Sequence, residues 1–303
     1  MDGMNMKILI TGASGLIGTA LQKSFAEKGY ETLLAARSKP KKSNEIQWDT
    51  EKGFADDDLP RLDALDAIVH LAGENIAGRW TDEKKRRLMD SRVDGTRNIV
   101  ETIGKLKNKP KVLINASAIG VYGDRADEIL TETSAAGDNF LAEIGKNWEA
   151  EAVKAENFGA RVVRLRIGIV LAKDGGALAQ MLTPFKFGLG GTIGSGKQWM
   201  SWIALEDVVR IVNFVIENEN LSGAINVVAP NPATNEEFTD TLGATLHRPT
   251  FLPLPAFAVN LAFGEMGNAL LLDSTRVVPN KLEEYGFEFK FPDLKAALEQ
   301  ATK

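Results

Sequence analysis

The segment Lys7-Ile-Leu-Ile-Thr-Gly-Ala-Ser-Gly-Leu-Ile-Gly18 predicts a strand, a tight turn and the start of a helix. Gly12 permits the sharp exit from the strand, Gly15 lets a ligand approach the backbone, and Gly18 lets the helix pack closely on the sheet. An amphipathic stretch over residues 19–28 continues the helix. Because the first N–H groups of a helix have no partner within it, this turn is predicted to bind the pyrophosphate of a dinucleotide. A glycine-rich turn that binds nothing is the alternative.

Apolar runs and helical periods alternate through the first half of the chain. The predicted strands cover residues 7–11, 31–36, 67–71, 112–116 and 161–166, and the predicted helices cover residues 19–28, 83–107 and 140–156. The runs are rich in Val, Ile and Leu, which is typical of parallel strands covered on both faces and joined by right-handed crossovers. The predicted fold class is therefore α/β, a Rossmann-like doubly wound parallel sheet.

The pattern changes after about residue 171. Glycine clusters at residues 175–176, 188–191 and 194–196 indicate an irregular region, followed by predicted helices over 205–217, 257–263 and 294–301 and a strand over 224–228. We predict an NADP-binding core over residues 6–171 and a smaller lobe over residues 172–303, partly interleaved with it. The substrate is expected in the cleft between them. Residues 1–5 precede the strand pattern and are predicted to be a short disordered leader.

Composition excludes several classes of function. The 303 residues carry 36 basic and 41 acidic side chains, a formal net charge of −5, which argues against nucleic acid or an anionic membrane as the main partner. The chain has neither an apolar run of the ~20 residues that span a membrane nor a secretory signal pattern, so a cytoplasmic location is expected. Cysteine is absent, and two histidines are too few for a histidine-rich metal centre, so no metal site is predicted. His70 is interpreted as a core or strand-end histidine.

The end of the second predicted strand selects between the two nicotinamide cofactors. A carboxylate there holds the ribose 2′-OH of NAD, whereas an arginine accommodates the 2′-phosphate of NADP. The stretch Ala35-Ala-Arg-Ser-Lys39 has no carboxylate, and Arg37 and Ser38 offer charged and hydroxyl donors to a phosphate. NADP is therefore the predicted cofactor, and a solvated basic turn is the alternative.

Small residues follow the predicted strand over residues 67–71. They allow a cofactor to pass close over the sheet. Arg92 lies on the long predicted helix beside that position and is interpreted either as a phosphate ligand or as a surface residue. The candidate cofactor-binding residues from these segments are Gly12, Ser14, Gly15, Leu16, Ile17, Gly18, Arg37, Ser38, Leu71, Ala72, Gly73, Glu74 and Arg92.

Several motifs, in order along the chain, resemble the extended short-chain dehydrogenase/reductases, which include nucleoside-diphosphate-sugar epimerases and dehydratases. They are the glycine turn to Gly18, Leu71-Ala-Gly73, Gly95-Thr96 and Ser117-Ala-Ile-Gly-Val-Tyr-Gly123. Further blocks resemble an atypical NAD-dependent epimerase/dehydratase-like subfamily with its own C-terminal extension: Trp148-Glu-Ala, Arg164-Leu-Arg-Ile-Gly168, Gly188-Leu-Gly-Gly191, Gly194-Ser-Gly196, Trp202-Ile and Leu252-Pro-Leu-Pro255. The resemblance covers essentially the whole chain.

The resemblance also implies catalytic residues. In the wider family a Ser, a Tyr and a Lys act together, the last two spaced as Tyr-x-x-x-Lys. Ser117 matches the Ser and Lys146 the Lys, and both are candidate cofactor contacts as well. Ala142 stands where the Tyr is expected, and a methyl group cannot transfer a proton. Tyr122 is the candidate phenol in its place, although a Tyr at this position usually lines the pocket in this family.

Other groups near the same cleft remain alternatives for proton transfer. Glu143 and Asp124 are carboxylates close in sequence to these motifs. Lys146 would act as a base if burial lowered its pKa. Its simpler role, and the one we favour, is a hydrogen bond to the nicotinamide ribose.

The resemblance implies an NADP-dependent oxidoreductase or epimerase acting on a small carbonyl or sugar-like substrate. The missing Tyr leaves a second hypothesis, a catalytically silent NADP-binding sensor or regulator. A third hypothesis, a purely structural interaction protein, is disfavoured because such a protein would not need the glycine turn or Arg37. Many relatives self-associate through helices that correspond to residues 83–107 and 140–156, so a homodimer is the expected assembly.

Overall fold

A seven-stranded parallel sheet forms the centre of the fold. The computed structural model describes residues 6–303, so the leader predicted over residues 1–5 lies outside the described residues. The strands are β1 (Lys7–Thr11), β2 (Glu31–Ala36), β3 (Glu45–Gln47), β4 (Ala67–His70), β5 (Val112–Ala118), β6 (Ile129–Leu130), β7 (Arg161–Ile167), β8 (Ile169–Leu171), β9 (Trp199–Met200), β10 (Trp202–Ala204), β11 (Gly223–Val227), β12 (Ala233–Thr234) and β13 (Arg276–Val277). The main sheet has the order β11-β7-β5-β4-β1-β2-β3. The strand order reverses between β1 and β4, which is where such sheets bind ligands.

Helices cover both faces of this sheet. They are α1 (Leu16–Glu27), α2 (Leu59–Leu62), α3 (Asp82–Lys105), α4 (Phe140–Val153), α5 (Gly176–Lys186), α6 (Leu205–Glu217), α7 (Asn235–Leu246), α8 (Ala256–Gly267), α9 (Asn280–Glu284) and α10 (Leu294–Thr302). The predicted α/β, doubly wound parallel architecture is confirmed. Within residues 6–303, no helix combines the length and the apolar character needed to cross a membrane.

The central strand β1 shows how the two faces are filled. Side chains alternate across a strand, so Ile8 and Ile10 enter one core and Leu9 enters the other. The first core is completed by α1 and α6, and the second by α3. Full burial of one such side chain stabilises the fold by about 1.5–3 kcal/mol. Burial on both faces explains why these strands read as continuous apolar runs.

The C-terminal part of the chain returns to the core. β11 pairs with β7 at the edge of the main sheet, and α6 packs on α1. The rest of this part builds its own core around the fully buried Trp202, with side chains from α5, α7 and α10. β11 therefore belongs to the main sheet although it follows residue 171, and the division of the chain into two interleaved lobes stays a prediction.

Four helices form where none was predicted: the short α2 and α9 and the longer α5 and α7. α5 begins inside the glycine-rich region that was predicted to be irregular, because Gly176 (φ 68°) turns the chain into a helix. α7 begins with a capping box: the Thr234 hydroxyl accepts a hydrogen bond from the Glu237 N–H, and the Glu237 carboxylate accepts one from the Thr234 N–H. This Thr-x-x-Glu pattern is readable in the sequence, so α7 was predictable. α1 starts at Leu16, three residues before its predicted start, so the glycine turn runs directly into the helix.

Replacement of Gly18 by Ala is expected to destabilise the protein. A Cβ on Gly18 would clash with the carbonyl oxygen of Gly12 and lie 2.8 Å from the Cα of Ala13. Because these are backbone atoms, the overpacking is expected to lower the free energy of unfolding by about 1–3 kcal/mol. Urea denaturation of Gly18→Ala, beside the exposed control Thr19→Ala on the same helix, measures the effect. Equal midpoints for the two variants would contradict the packing role assigned to Gly18.

Candidate cofactor and active site

The glycine turn presents the N-terminus of α1 at the carboxyl end of β1. Gly12 adopts φ 67°, and the Gly15 N–H donates to the Gly12 carbonyl over 3.0 Å, which closes the turn. Gly15 occupies the N-cap position with no side-chain cap, and the first turn of α1 carries no acidic residue. The N–H groups at this helix end are therefore open to an anion, and the helix dipole favours negative charge there.

A cleft of about 340 Å³ lies in front of this turn. Its walls are Gly12, Gly15, Leu16, Ile17, Gly18, Leu71, Gly168, Ile169, Val170, Gly176 and Ala177. The structure thus brings the predicted glycine turn and Leu71 to one cleft. The wall formed by residues 168–177 was not predicted as part of the site, although its glycines are visible in the sequence.

A buried hydrogen-bond network fixes the ends of β1 and β4 behind the cleft. The Thr11 hydroxyl accepts hydrogen bonds from the N–H groups of Leu71 and Ala72, over 3.1 and 3.2 Å. Its proton is therefore directed to Nδ1 of His70, which lies 2.6 Å from Oγ1. Nε2 of His70 then carries the ring proton and donates to Thr96 over 3.1 Å. His70 is a neutral core histidine, which confirms its interpretation from the sequence.

Arg37 and Ser38 follow β2 on the surface of the protein. Arg37 lies near Glu74, which follows β4. The pKa of Glu74 is lowered mainly by a hydrogen bond from Lys84 Nζ (2.7 Å), and the charge of Arg37 contributes. The ends of β2 and β4 therefore bring the predicted phosphate ligands and Glu74 to the same edge of the sheet.

Arg92 on α3 is half-buried beside the predicted cofactor path. Its Cζ lies 5.1 Å from the ring centre of Trp148, and a Cβ on Gly73 would lie 3.3 Å from the same atom. Burial lowers the pKa of Arg92 to about 10, with the charge of Glu74 acting in the opposite direction. Nη1 donates to the Leu88 carbonyl over 3.1 Å, and no carboxylate of residues 6–303 lies within 4.0 Å of the guanidinium. Arg92 therefore keeps N–H groups available for an anion.

Ser117 lies near the end of β5 with its side chain inside the protein. Its hydroxyl is buried and donates to Oε1 of Glu149 over 2.8 Å. The following residue, Ala118, is the exposed one, because side chains alternate along the strand. The role of Ser117 towards a substrate carbonyl or the cofactor stays a prediction, and in this structure its hydroxyl is engaged by Glu149. The open position at the end of β5 carries only a methyl group.

The buried carboxylate of Glu149 organises the groups around Ser117. Arg166 donates to both of its oxygens, over 2.8 and 2.9 Å, and Arg164 donates to Oε2 over 3.1 Å. Burial alone disfavours the charge of Arg166, but its bonds to Glu149 outweigh this effect and raise the pKa of Arg166. Glu149 was not predicted as a functional residue.

Tyr122 belongs to the same network and is fully buried. Its hydroxyl accepts a hydrogen bond from Arg166 and lies 2.6 Å from Oδ1 of Asn226 and 3.0 Å from the carbonyl oxygen of Thr131. Burial raises the pKa of Tyr122, and the charge of Arg166 partly offsets it. The role of Tyr122 in place of the missing phenol stays a prediction that this structure does not favour, because its hydroxyl is enclosed by protein partners.

Of the Ser, Tyr and Lys positions that the family resemblance implies, Lys146 is exposed to solvent. It is exposed on α4, and its Nζ donates to the Gly137 carbonyl over 3.3 Å. Ala142, one turn earlier, is fully buried, and its N–H donates to the capping side chain of Asn139 over 2.9 Å. The position expected for the phenol is therefore covered by protein as well as lacking a hydroxyl.

These features define a dinucleotide-binding Rossmann fold: a glycine turn at a helix N-terminus, with a cleft at the reversal of strand order. Residues 8–228 match the NAD dependent epimerase/dehydratase family, and the chain belongs to that family. Residues 254–301 match a domain of unknown function, DUF1731. The predicted family with its own C-terminal extension is therefore confirmed.

Relatives of known sequence and structure span the whole chain. It is 38% identical over 300 residues to the epimerase family protein YfhF of Bacillus subtilis, with 97% of each chain covered. It is 42% identical over 299 residues to the epimerase family protein Mb2239 of Mycobacterium bovis, with 98% of each covered. The crystal structure of the human epimerase family protein SDR39U1 (isoform 2) with NADPH is similar at a TM-score of 0.89 and 35% identity, covering 98% of this chain and 99% of that one.

The stability of the protein is expected to fall at acid pH because His70 stays neutral in the folded state. Burial lowers its pKa to about 3, whereas an exposed histidine has a pKa of about 6.5. Between these values only the unfolded chain binds the proton, so the free energy of unfolding falls by up to about 1.4 kcal/mol for each pH unit below about 6.5.

Urea denaturation of wild type and His70→Gln between about pH 7.5 and 4.5 measures this contribution. The stability advantage of wild type over the variant is expected to shrink as the pH falls, because the variant has no ring to protonate. A constant difference across the range would show that His70 is protonated in the folded protein.

Proposed function

We propose that the chain binds NADPH in the cleft at the carboxyl ends of β1 and β4. The observation that carries this proposal is the open N-terminus of α1, where the first residues, Leu16 and Ile17, line the cleft without a side-chain cap. The pyrophosphate fits against these N–H groups, and the absence of a Cβ at Gly12 and Gly15 leaves the backbone accessible. The NADPH bound by the human relative, which is similar over the whole chain, supports the same cofactor.

The choice of NADPH over NADH is assigned to Arg37 and Ser38. Both are exposed at the end of β2, where the adenosine ribose lies in this fold class, and their donors suit a 2′-phosphate. Arg92 is a second candidate ligand, because its guanidinium lies beside Gly73 and keeps donors that no carboxylate of the described residues uses. Ser14, Leu71, Ala72 and Gly73 remain predicted contacts along the same edge.

We further propose that the protein is an oxidoreductase or epimerase acting on a small carbonyl or sugar-like substrate. Bound NADPH supplies the hydride, and the protein must then orient the substrate and manage one proton. Lys146 is exposed on α4 and is assigned to the ribose hydroxyls of the cofactor. Ser117 and Tyr122 hold the Glu149 network instead of the substrate, so proton transfer requires another group.

A catalytically silent NADPH-binding sensor is the second candidate function. The observation that favours it is the burial of Ala142 where the family places its phenol. Such a protein would keep the cofactor side of the cleft intact and would bind NADPH without consuming it. Self-association through α3 and α4 and a cytoplasmic location stay predictions for either function.

Arg37→Ala is expected to weaken NADPH binding selectively. Loss of a charge-assisted phosphate contact costs on the order of 1.5–3 kcal/mol, which corresponds to more than about tenfold in affinity. NADH has no 2′-phosphate, so its affinity is expected to stay unchanged. Titrations followed by nicotinamide fluorescence measure both, with Arg86→Ala on the exposed side of α3 as a control. Equal losses for NADPH and NADH would contradict the assignment of Arg37.

Turnover separates the two candidate functions. An oxidoreductase is expected to oxidise NADPH in the presence of at least one member of a panel of small aldehydes, ketones and nucleotide sugars, measured by the loss of absorbance of the reduced nicotinamide. Ser117→Ala is expected to keep most of this rate, because the hydroxyl lies within the Glu149 network and away from the substrate. Tight NADPH binding with no oxidation across the panel would support the sensor and end the oxidoreductase proposal.

A further inference from the structure

Large apolar side chains are exposed together on one part of the C-terminal region. Of the eleven that residues 6–303 leave exposed, six lie within residues 187–189 and 251–261. They are Phe187, Leu189, Phe251, Leu252, Phe257 and Leu261. We call these six side chains the α8 surface, after the helix that carries the last two.

Backbone contacts hold the two segments of the α8 surface side by side. Gly191 forms a β-bridge with Phe251. The N–H of Leu254 donates to the carbonyl of residue 192 over 2.8 Å, two residues before α8 begins. Phe257 and Leu261 are four residues apart, so they share one face of α8. The six side chains therefore belong to one continuous part of the protein surface.

Helix α8 is apolar on all sides yet mostly exposed. Of its 12 residues, Glu265 alone is charged, and Val259 and Gly267 are the two that are buried. The helix packs chiefly on residues 268–272, which follow it, and leaves Phe257 and Leu261 73% and 87% exposed. A helix that is apolar all round is normally covered, and this one, at about 18 Å, is too short to cross a bilayer. Its sequence therefore indicates a partner that covers it.

The area of the α8 surface is that of a protein–protein interface. Phe187, Phe251 and Phe257 are each more than 70% exposed. An aromatic side chain presents about 150–250 Å², so these three expose roughly 300–550 Å², and the three leucines bring the total to roughly 500–850 Å². The largest apolar patch of a monomer covers about 300–600 Å², whereas each partner of a stable complex buries about 800 Å². The α8 surface is therefore large enough to be the centre of a stable interface.

The distribution of charge favours a second copy of this chain as the partner. Residues 187–196 and 249–264 carry no charged side chain, although 25% of the residues in the chain are charged. Across a two-fold axis a surface meets the same surface of its partner, so a charge near the axis faces a like charge. An uncharged surface avoids this repulsion in a chain whose formal net charge is −5.

The edge of the α8 surface argues against a lipid bilayer as the partner. Peripheral proteins bind anionic bilayers through Lys and Arg side chains beside their apolar residues. Here Lys186 and Arg248 lie at one edge, where Arg248 donates to the Lys186 carbonyl over 2.8 Å. Asp240 accepts from the hydroxyl of residue 250 over 3.2 Å at the same edge, and Glu265 lies on α8 itself. A rim of both signs around an apolar centre is typical of an interface between proteins.

We propose that two copies of this chain associate through the α8 surface, related by a two-fold axis. Phe257 and Leu261 of each copy, with the phenylalanines of the neighbouring loops, are then removed from water. This interface lies on other elements than α3 and α4, so a protein that uses both contacts forms a tetramer. The proposal is independent of cofactor binding and of turnover.

Charged substitutions on α8 test the interface by analytical ultracentrifugation. Wild type is expected to sediment as an assembly of two or four copies. Leu261→Lys and Phe257→Lys bring like charges together, so each is expected to raise the dissociation constant at least about tenfold. An assembly of four copies then falls to two, and one of two falls to single chains.

Ile129→Lys is the matched control, because Ile129 is an exposed apolar residue outside the α8 surface. It is expected to leave the dissociation constant unchanged. Circular dichroism and NADPH titration verify that the variants are folded, as expected for substitutions at exposed side chains. A monomeric wild type, or an assembly that neither α8 variant weakens, overturns the proposal.

Crosslinking locates the contact independently of affinity. The chain has no cysteine, so a single introduced cysteine is the only site for a short bis-maleimide. Leu261→Cys and Phe251→Cys, alone or mixed, are expected to form covalent dimers, and Ile129→Cys is not. Dimers through residue 129 with none through residues 251 and 261 overturn the proposal.

Vesicles of phosphatidylcholine and phosphatidylglycerol distinguish a bilayer from a second copy. Wild type is expected to stay in the supernatant when the vesicles are sedimented, because the second copy covers the α8 surface. A monomeric wild type that binds the vesicles, with binding abolished by Leu261→Lys, would overturn the proposal and assign the surface to a bilayer.

Discussion

The buried carboxylate of Glu149 is the interaction on which this side of the cleft depends. A charge removed from water is costly unless opposite charges and hydrogen bonds surround it, and Arg164, Arg166 and Ser117 supply them. Loss of one partner from such a pair typically costs about 3–5 kcal/mol. Because α4 places the Glu149 carboxylate in the interior, the Ser117 hydroxyl donates its hydrogen bond to this carboxylate. Arg166 also donates a hydrogen bond to the Tyr122 hydroxyl. The hydroxyls of Ser117 and Tyr122 therefore both belong to the hydrogen-bond network around Glu149.

The elements around the glycine turn and the elements around Glu149 therefore differ in character. The wall built by β1, β4 and α1 leaves backbone N–H groups and the guanidinium of Arg92 open, which suits an anionic cofactor. On β5 and α4, the Ser117 hydroxyl is bound by Glu149, and Ala142 carries a methyl group where the family places its phenol. The residues proposed to bind the cofactor therefore lie on other elements than Ala142, so loss of the phenol leaves the proposed cofactor site intact. The oxidoreductase and the sensor hypotheses therefore both include the proposal that the protein binds NADPH.

The sequence predicts what depends on local pattern. Continuous apolar runs, helical periods and the glycines up to Gly18 are local signals, and the doubly wound sheet and the turn of α1 follow from them. The side chain of Ser117 could not be placed in this way, because its direction depends on the register of β5 with β7 and on the charge of Glu149, 32 residues away. The burial of Tyr122 likewise requires Asn226, which is 104 residues distant in the chain. Residues far apart in sequence decide these contacts, and no spacing rule links them.

The extension after β11 contacts the N-terminus of α4, close in sequence to the position where the family places its phenol. A proton donor is defined by where its proton lies relative to the substrate oxygen and by its pKa, so its position in the sequence is free to change. α4 lacks a phenol at residue 142, yet its N-terminus, through Asn139, binds a carboxyl from the extension. Tyrosine normally needs a nearby cation to lower its pKa towards neutrality, whereas a carboxylic acid needs burial and a neighbouring negative charge to raise it. The methyl group of Ala142 offers neither kind of group, so proton transfer in this protein requires a side chain from another position.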